Sequence, residues 1–524
     1  MKRLSILYLV LPFLLFLFGW VRLSIAIPLA AILLFALWKL LFANSQSQVY
    51  QFTNSKSTAY WLLLTAFWLL LSGIGGYAFQ NWDHHWRNAV FRDLIQFDHP
   101  IYYTHPERGP INMLVYYVGF WLPSAWIGKL LGWQAANFAL FAWSLLGLLL
   151  VTHQLASALK TSALKATLLL IFFSGLDIIG TLFFPQNYPT ITPPITHLET
   201  WAGNLQYSSF TTQLFWVFNQ AIPAWLIISV IARSREAATK QSPSNTEIAH
   251  LPLRAVQGSG KEQERPRNDK RGALVLLWSL CFFFAPLASV GLLPYVLIEL
   301  FKHTDLKSPF KNLNPAVLLF ALIIFLLSSF FFTANTAAQS RGLQSIPLDK
   351  FIPFFLLEGG VLWLVLVPLK YRDPRWIVTG ILLAFIPFIQ LGSDRDFVMR
   401  ASIAPLFYLM LLTGETIFNK SSSLITRYSL LALLLLGSFT PLYEINRSIH
   451  RTYEYYFVLD DSQKIQTVTD PVTRLPPPGV PEYEHPNSLT ADGIPTLKFM
   501  TDQLSQNFVA NVRQTLFYKY LAKR

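Results

Sequence analysis

The sequence predicts an all-α polytopic membrane protein with about thirteen transmembrane segments. Three observations carry that class. Only 13% of the 524 residues are charged and 53% are hydrophobic, with a mean hydropathy of +0.41, whereas soluble domains carry roughly 25% charge. Apolar runs of about 20 residues, the length that crosses a bilayer, recur along the chain. Lysine and arginine gather in the short links between those runs, as cytoplasmic loops require. The net charge of +13 therefore reflects topology. No basic cluster interleaved with aromatics suggests a nucleic-acid groove, so the expected surroundings are a lipid bilayer and no nucleic acid.

The first run, MKRLSILYLVLPFLLFLFGW, has a basic start and an apolar core. No small-x-small cleavage site follows, and another run begins near Leu23, so it reads as an uncleaved span. With it, runs of spanning length lie at 4–20, 23–42, 60–78, 134–153, 165–184, 213–232, 315–333, 352–369, 375–392, 402–418 and 425–442. Two shorter ones, 272–285 and 287–301, meet at Ala285-Pro286, where Pro286 and Pro294 break or kink a helix. The single cysteine, Cys281, lies in an apolar run. It forms no intrachain disulfide and makes no metal site by itself.

Basic residues set the orientation. Lys2 and Arg3 favour a cytoplasmic start. Residues 233–271 hold nine Lys/Arg against five acids among Ser, Pro, Gln and Gly, and read as a disordered cytoplasmic linker. Lys302, Lys307, Lys311, Lys370, Arg372 and Arg375 fall on the same side. The 28 residues from 185 to 212 contain no Lys or Arg and read as an outward loop. Residues 112–131 look long enough to span, but a span there would put Lys160 and Lys165 outside. They are therefore read as a flat interfacial segment, which makes 79–133 one outward loop. Residues 1–442 then form the transmembrane domain of a multi-pass inner-membrane protein. Residues 443–524, including RLPPPGVPEYEHP, form an outward tail.

The stretch NWDHHWRNAVFRDLIQFDHPIYY, residues 81–103, opens that first loop. Trp82, Trp86, Ala89, Val90, Leu94 and Phe97 recur at helical spacing. A short helix is expected on the outer membrane surface, aromatic side down, with Asp83, Arg87 and Asp93 toward water or a cavity. Asp83 and Arg87 stand at i,i+4, the spacing of a helical ion pair. His84 and His85 next to Asp83 make a poor chelate, because adjacent helical residues point about 100° apart. Asp98 and His99, before Pro100, are candidates to line the same cavity.

Asp83 at the start of a large first outward loop, GPINMLVYYVGFWL at 109–122 and the inward span NFALFAWSLLGLLLVTHQLASAL at 137–159 together resemble the C-type (GT-C) glycosyltransferase superfamily. The resemblance covers residues 60–235, and the later spans by hydropathy. The superfamily often has paired acids where this chain has Asp-His-His, and two extra spans precede the usual first one. Segments SGLD at 174–177 and MRASI at 399–403 are also similar to other bacterial polytopic membrane proteins, a similarity that carries no reaction. The superfamily resemblance implies transfer of a sugar from a polyprenyl-phosphate donor to an envelope glycan, lipid or protein acceptor. It implies Asp83 as the base and inversion at the anomeric carbon.

Other candidates follow from residue chemistry. Asp177, in FFSGLDIIGTLFF, is an intramembrane acid, which faces a cavity or a partner. It is a second candidate catalytic group, or else an interhelical hydrogen-bond acceptor. Glu358 is another buried acid. His197, Glu199, Trp201, Asn204, Gln206, Tyr207, Asn219 and Gln220 form a polar-aromatic set suited to a sugar or acceptor shelf, or to an ordinary interfacial belt. No metal site is assigned, although Asp83, His197 and Glu199 leave a divalent ion open. Arg395 and Arg400, in LGSDRDFVMRAS, are outward positives. Either they clamp a carrier phosphate with guanidinium forks or they pair locally with Asp394 and Asp396. No P-loop, G-x-S-x-G, HExxH or CxxC occurs. The rival expectations are a transporter or flippase lined by Asp177, Glu358 and the break at Pro286, or a non-catalytic scaffold acting through the tail.

Overall fold

The structure, a computed structural model, describes residues 2–42, 55–105, 109–184, 198–239, 260–301, 314–335, 341–392, 396–454, 457 and 507–523. It is mostly helical. Among the described residues, eight helices are long and apolar enough to cross a membrane, and four shorter apolar helices have 10–17 residues. Helices dominate because hydrocarbon offers no partner for backbone N–H and C=O groups, so each segment must satisfy its own.

Two apolar runs are not regular α-helices. In 165–184, helix Ala163–Phe172 stops, residues 173–176 are non-helical, and Asp177–Phe183 resumes. In 352–369, the chain passes through Leu348–Phe355, a π turn at Leu356–Gly360, then Val361–Val365 and Val367–Lys370. Pro353, the Gly359-Gly360 pair and Pro368 supply the interruptions. The two irregular stretches meet, with the Leu176 amide donating to the Leu357 carbonyl at 2.8 Å.

Residues 112–131 are not one flat segment. They contribute the end of strand Gly109–Leu114, a 3-10 turn Val118–Trp121, and the start of helix Leu122–Leu159. That helix is broken at Gly132, whose φ of 84° only glycine adopts readily. A Cβ on Gly128 would lie 2.7 Å from the Ala136 Cβ. Eight residues of straight helix would separate them by about 12 Å, so the chain doubles back at Gly132. Leu130 and Leu131, just before the break, are 82% and 72% exposed.

A small sheet was not expected. Strand Tyr102–His105 pairs antiparallel with Gly109–Leu114, which pairs antiparallel with Val509–Asn511. The chain's end is thereby tied to the first loop. Arg22 Nη2 donates to the Lys519 carbonyl at 2.8 Å and Tyr102 Oη to that of Lys523 at 3.0 Å. The helical backbone also continues to Thr239 and resumes at Gly260, which narrows the expected linker. Residues 240–259 and the proline-rich part of the tail lie outside the described residues.

The core is aromatic. Phe13 and Phe16 meet Phe283 at 5.1 and 5.4 Å, and Phe16 meets Phe331 at 5.0 Å, tying helix Lys2–Trp20 to Gly260–Phe284 and Pro315–Phe332. Cys281 is buried within this core. One end of the bundle carries the sheet and helix Trp82–Gln96. At the other end, Gln154 joins Ser5 and Arg233 at 2.9 and 2.8 Å.

Candidate functional site

Helix Trp82–Gln96 begins at Asn81, whose side chain accepts from the Asp83 amide at 3.1 Å and donates to the Phe215 carbonyl at 2.6 Å. Asparagine is a favoured cap because its oxygen satisfies an orphan N–H. The helix does not lie on a surface with its charges in water. Arg87, Arg92 and Asp93 are buried along with Ala89, Val90 and Leu94. Asp93 accepts from Arg92 at 2.7 Å and from the Tyr103 hydroxyl at 2.6 Å. Burial raises its carboxyl above the usual range, against the pull of Arg92.

Asp83 stays accessible, its side chain 36% exposed, while that of Arg87 is 4% exposed. Arg87 Nη2 donates to Asp83 Oδ2 at 2.8 Å, and Arg87 Nε and Nη1 are buried without a partner. His84 is built in, with Nε2 3.2 Å from the Phe215 carbonyl and Nδ1 3.4 Å from Gln80 Nε2. A neutral ring protonated on Nε2 satisfies both contacts. Burial, and then Arg87, lowers it to about 3. His84 is therefore unavailable to a metal trio with Asp83; the side chain of His85 lies outside the described residues.

Asp98 and His99 diverge. Asp98 is exposed, whereas His99 is buried, stacked on Trp20 at 4.6 Å and bonded through Nε2 to the Leu94 carbonyl at 2.9 Å. Burial, and then Lys129, lowers His99 to about 4.

Arg400, on the short helix Asp396–Ala401, is buried and ion-paired with Asp396 one turn earlier. Its Nε has no partner. Arg395 lies outside the described residues. Tyr116 and Tyr117, whose rings are 4.2 Å apart, lie within electrostatic reach of both arginines. Burial raises both hydroxyls above the ordinary tyrosine value, and the charges of Arg87, Arg400, Asp83 and Asp396 act on Tyr116. Tyr117 feels Arg400 and Arg87 too. Two carboxylate–guanidinium pairs from positions more than 300 apart thus act on one pair of phenols. Phe508, on the returning tail, packs on Tyr116 at 4.6 Å, and the Val115 amide donates to the Phe508 carbonyl at 2.8 Å. A small cleft opens beside the cap, lined by Ser72, Phe79, Asn81, Phe215, Glu444 and Arg447 among others.

The second loop is not an exposed shelf. Trp201, Gln206 and Tyr207 are buried. Trp201 Nε1 donates to Glu358 Oε1 at 2.7 Å, Gln206 Nε2 to Glu199 Oε2 at 2.8 Å and Tyr207 Oη to the Leu383 carbonyl at 2.6 Å. Burial, and then Asp177, pushes the Glu199 carboxyl up to about 8. Asn219 and Gln220 are fully buried in helix Phe210–Thr239, with no partner for either amide group. His197 lies outside the described residues. Asp177 accepts from Ser174 at 3.1 Å and Thr440 at 2.8 Å. It makes no bond to the Asp83 or Arg400 pairs.

Among the described residues, no group of three or more His, Cys, Asp or Glu is arranged to hold a metal ion. Comparison with family models, curated proteins and solved structures finds no match. Tyr116 and Tyr117 are the site residues that residue-by-residue reading passed over. Their signal was the YY inside GPINMLVYYVGFWL, which reads equally well as an interfacial belt.

Proposed function

We propose that the chain is an inner-membrane glycosyltransferase of the C-type kind. It would transfer a sugar from a polyprenyl-phosphate carrier to an envelope acceptor on the extracytoplasmic side. The N-terminus is then cytoplasmic, and the sheet end of the bundle faces out. One observation supports this reading: Arg87 and Arg400 are buried, each meets one carboxylate, and together they keep three nitrogens unbonded around Tyr116 and Tyr117. Buried donors without acceptors are costly, about 1–3 kcal/mol each and more when charged. Guanidinium forks match phosphate oxygens, so a carrier phosphate would give these donors acceptors.

In this mechanism Asp83, the accessible member of its pair, takes the proton of the acceptor hydroxyl. The freed oxygen attacks the anomeric carbon, the carbon–oxygen bond to the carrier breaks with inversion, and polyprenyl phosphate leaves. Arg87, Arg400 and the phenols hold the charge that develops on the leaving phosphate. Nothing here needs nucleotide hydrolysis. The test is transfer of radiolabelled sugar from its polyprenyl-phosphate carrier by purified protein in nanodiscs. Transfer lost in Asp83→Asn supports the reading; transfer undiminished in that variant, or none with the native protein across the carrier sugars, contradicts it.

One observation favours a transporter instead: two interrupted helices meet at buried acids, an arrangement common in transporter sites. Solute uptake into liposomes, unaffected by Asp83→Asn, distinguishes it.

A further inference from the structure

Helix Phe439–Tyr453 packs beside the connector that leads into the helix of Asp83. Ser448 donates to the Leu71 carbonyl, and the Phe79 amide donates to Thr452 Oγ1 at 2.9 Å. The small cleft beside the Asn81 cap lies at this junction. Most polar side chains lining it are spent. Asn81 uses both ends of its amide, Ser72 donates to the Leu69 carbonyl, and Ser448 is bonded to Leu71. Glu444 and Arg447 are only half used. Glu444 is 2% exposed, and its Oε2 accepts from Arg447 Nη1 at 3.2 Å and from Trp216 Nε1 at 3.4 Å. Its Oε1 is buried with no donor, and Arg447 Nε is buried with no acceptor. The guanidinium is held over the rings of Phe79 and Trp216, 5.6 and 5.4 Å from their centres, by cation–π attraction. The vacancy is therefore built into a fixed pair.

Charge narrows the occupant. An anion would meet the bare Glu444 oxygen, and a cation would meet Arg447, so neither is favoured by an ion pair of zero net charge. Hydroxyls suit both atoms, because each donates one hydrogen and accepts through its lone pairs. A sugar presents such hydroxyls side by side, and a small cleft admits the edge of one ring. Asp83 stands two residues beyond Asn81, at most about 7 Å along the chain.

We propose that this cleft is the acceptor subsite and that the acceptor is a carbohydrate. Neighbouring hydroxyls on one ring edge donate to Glu444 Oε1 and accept from Arg447 Nε, and a further hydroxyl of the same acceptor reaches Asp83. The carbohydrate docking stands on the cleft itself. Its role as the acceptor subsite rests on the transferase reading above.

The test is saturation-transfer NMR titration of the full chain in nanodiscs with a panel of methyl hexosides, with polyprenyl phosphate binding measured alongside. Native protein should bind at least one glycoside. Glu444→Gln and Arg447→Lys should each bind it about tenfold more weakly, the effect of losing one charge-assisted hydrogen bond, with polyprenyl phosphate affinity unchanged. Arg400→Gln should do the opposite. Glycoside binding undiminished in Glu444→Gln and Arg447→Lys overturns the proposal. So does native protein that binds no glycoside, which leaves the cleft to a bound water only. Glycoside binding without sugar transfer contradicts the transferase reading and leaves the carbohydrate site standing, whereas transfer without glycoside binding contradicts the subsite alone. Arg447→Lys keeps the charge beside Glu444, so it decides the matter if Glu444→Gln fails to fold.

Discussion

Arg375 and the pair Arg87 and Arg400 are all buried guanidinium groups, and they are finished differently. Arg375 donates from Nε and Nη2 to Asp373 and from Nη1 and Nη2 to Glu415, at 2.6 to 3.2 Å, and Lys370 adds a bond of 2.7 Å to Glu415. Each of its nitrogens has an acceptor. Arg87 and Arg400 each meet one carboxylate and leave Nε, and in Arg87 also Nη1, unfilled. A filled fork locks helix Pro374–Phe385 to helix Ile403–Phe418. An unfilled one beside accessible Asp83 is, in the proposed mechanism, where the carrier phosphate would bind.

The widest separation between the two regions comes from removing the forks. Arg87→Gln and Arg400→Gln should each lower the rate of sugar transfer by about 10²–10³-fold, the cost of losing one preorganised donor to developing charge, with little loss of stability. Arg375→Gln should do the reverse. It strands Asp373, leaves Glu415 with Lys370 alone, and should cost about 3 kcal/mol in denaturant unfolding. If all three variants behave alike, the distinction fails.

A smaller effect tests placement. Phe508→Ala removes the ring packed on Tyr116 without touching either arginine. It should weaken binding of polyprenyl phosphate about tenfold, a cost of about 1.4 kcal/mol, measured in nanodiscs. An unchanged affinity would mean that the phenols need no support from the tail.

The smallest effect concerns pH. His84 is lowered from 6.5 to about 3, so the unfolded chain takes up a proton that the folded chain refuses. Its contribution to stability is complete above about 6.5 and falls as pH drops toward 3. The loss at pH 6 is about 0.8 kcal/mol. His84→Gln should flatten that part of the pH profile, and an equally steep profile would show that the ring is not held neutral.

Much of this was legible in the sequence. Apolar runs announce membrane helices because the hydrophobic length is set by the bilayer. Arg400 stands out in the sequence because it breaks the charge rule for its loop, and Asp83 because of its place after a span. The sheet was invisible. Its strands have three to six residues, and Asn112 pairs with Asn511 across a separation that leaves no periodic signal. The 197–220 set misled for a related reason. Its residue types suit a sugar shelf, but composition cannot say that Trp201 is turned toward Glu358. The burial of Arg87, Arg92 and Asp93 also escaped, since helical spacing marks an apolar stripe and not what covers the opposite face.

The account is tested most directly by equilibrium binding of polyprenyl phosphate, without a sugar, to the protein in nanodiscs. Native protein should bind it, with Arg87→Gln and Arg400→Gln each at least tenfold weaker and Lys370→Gln, at the filled network, unchanged. Equal affinity in all four proteins would contradict it.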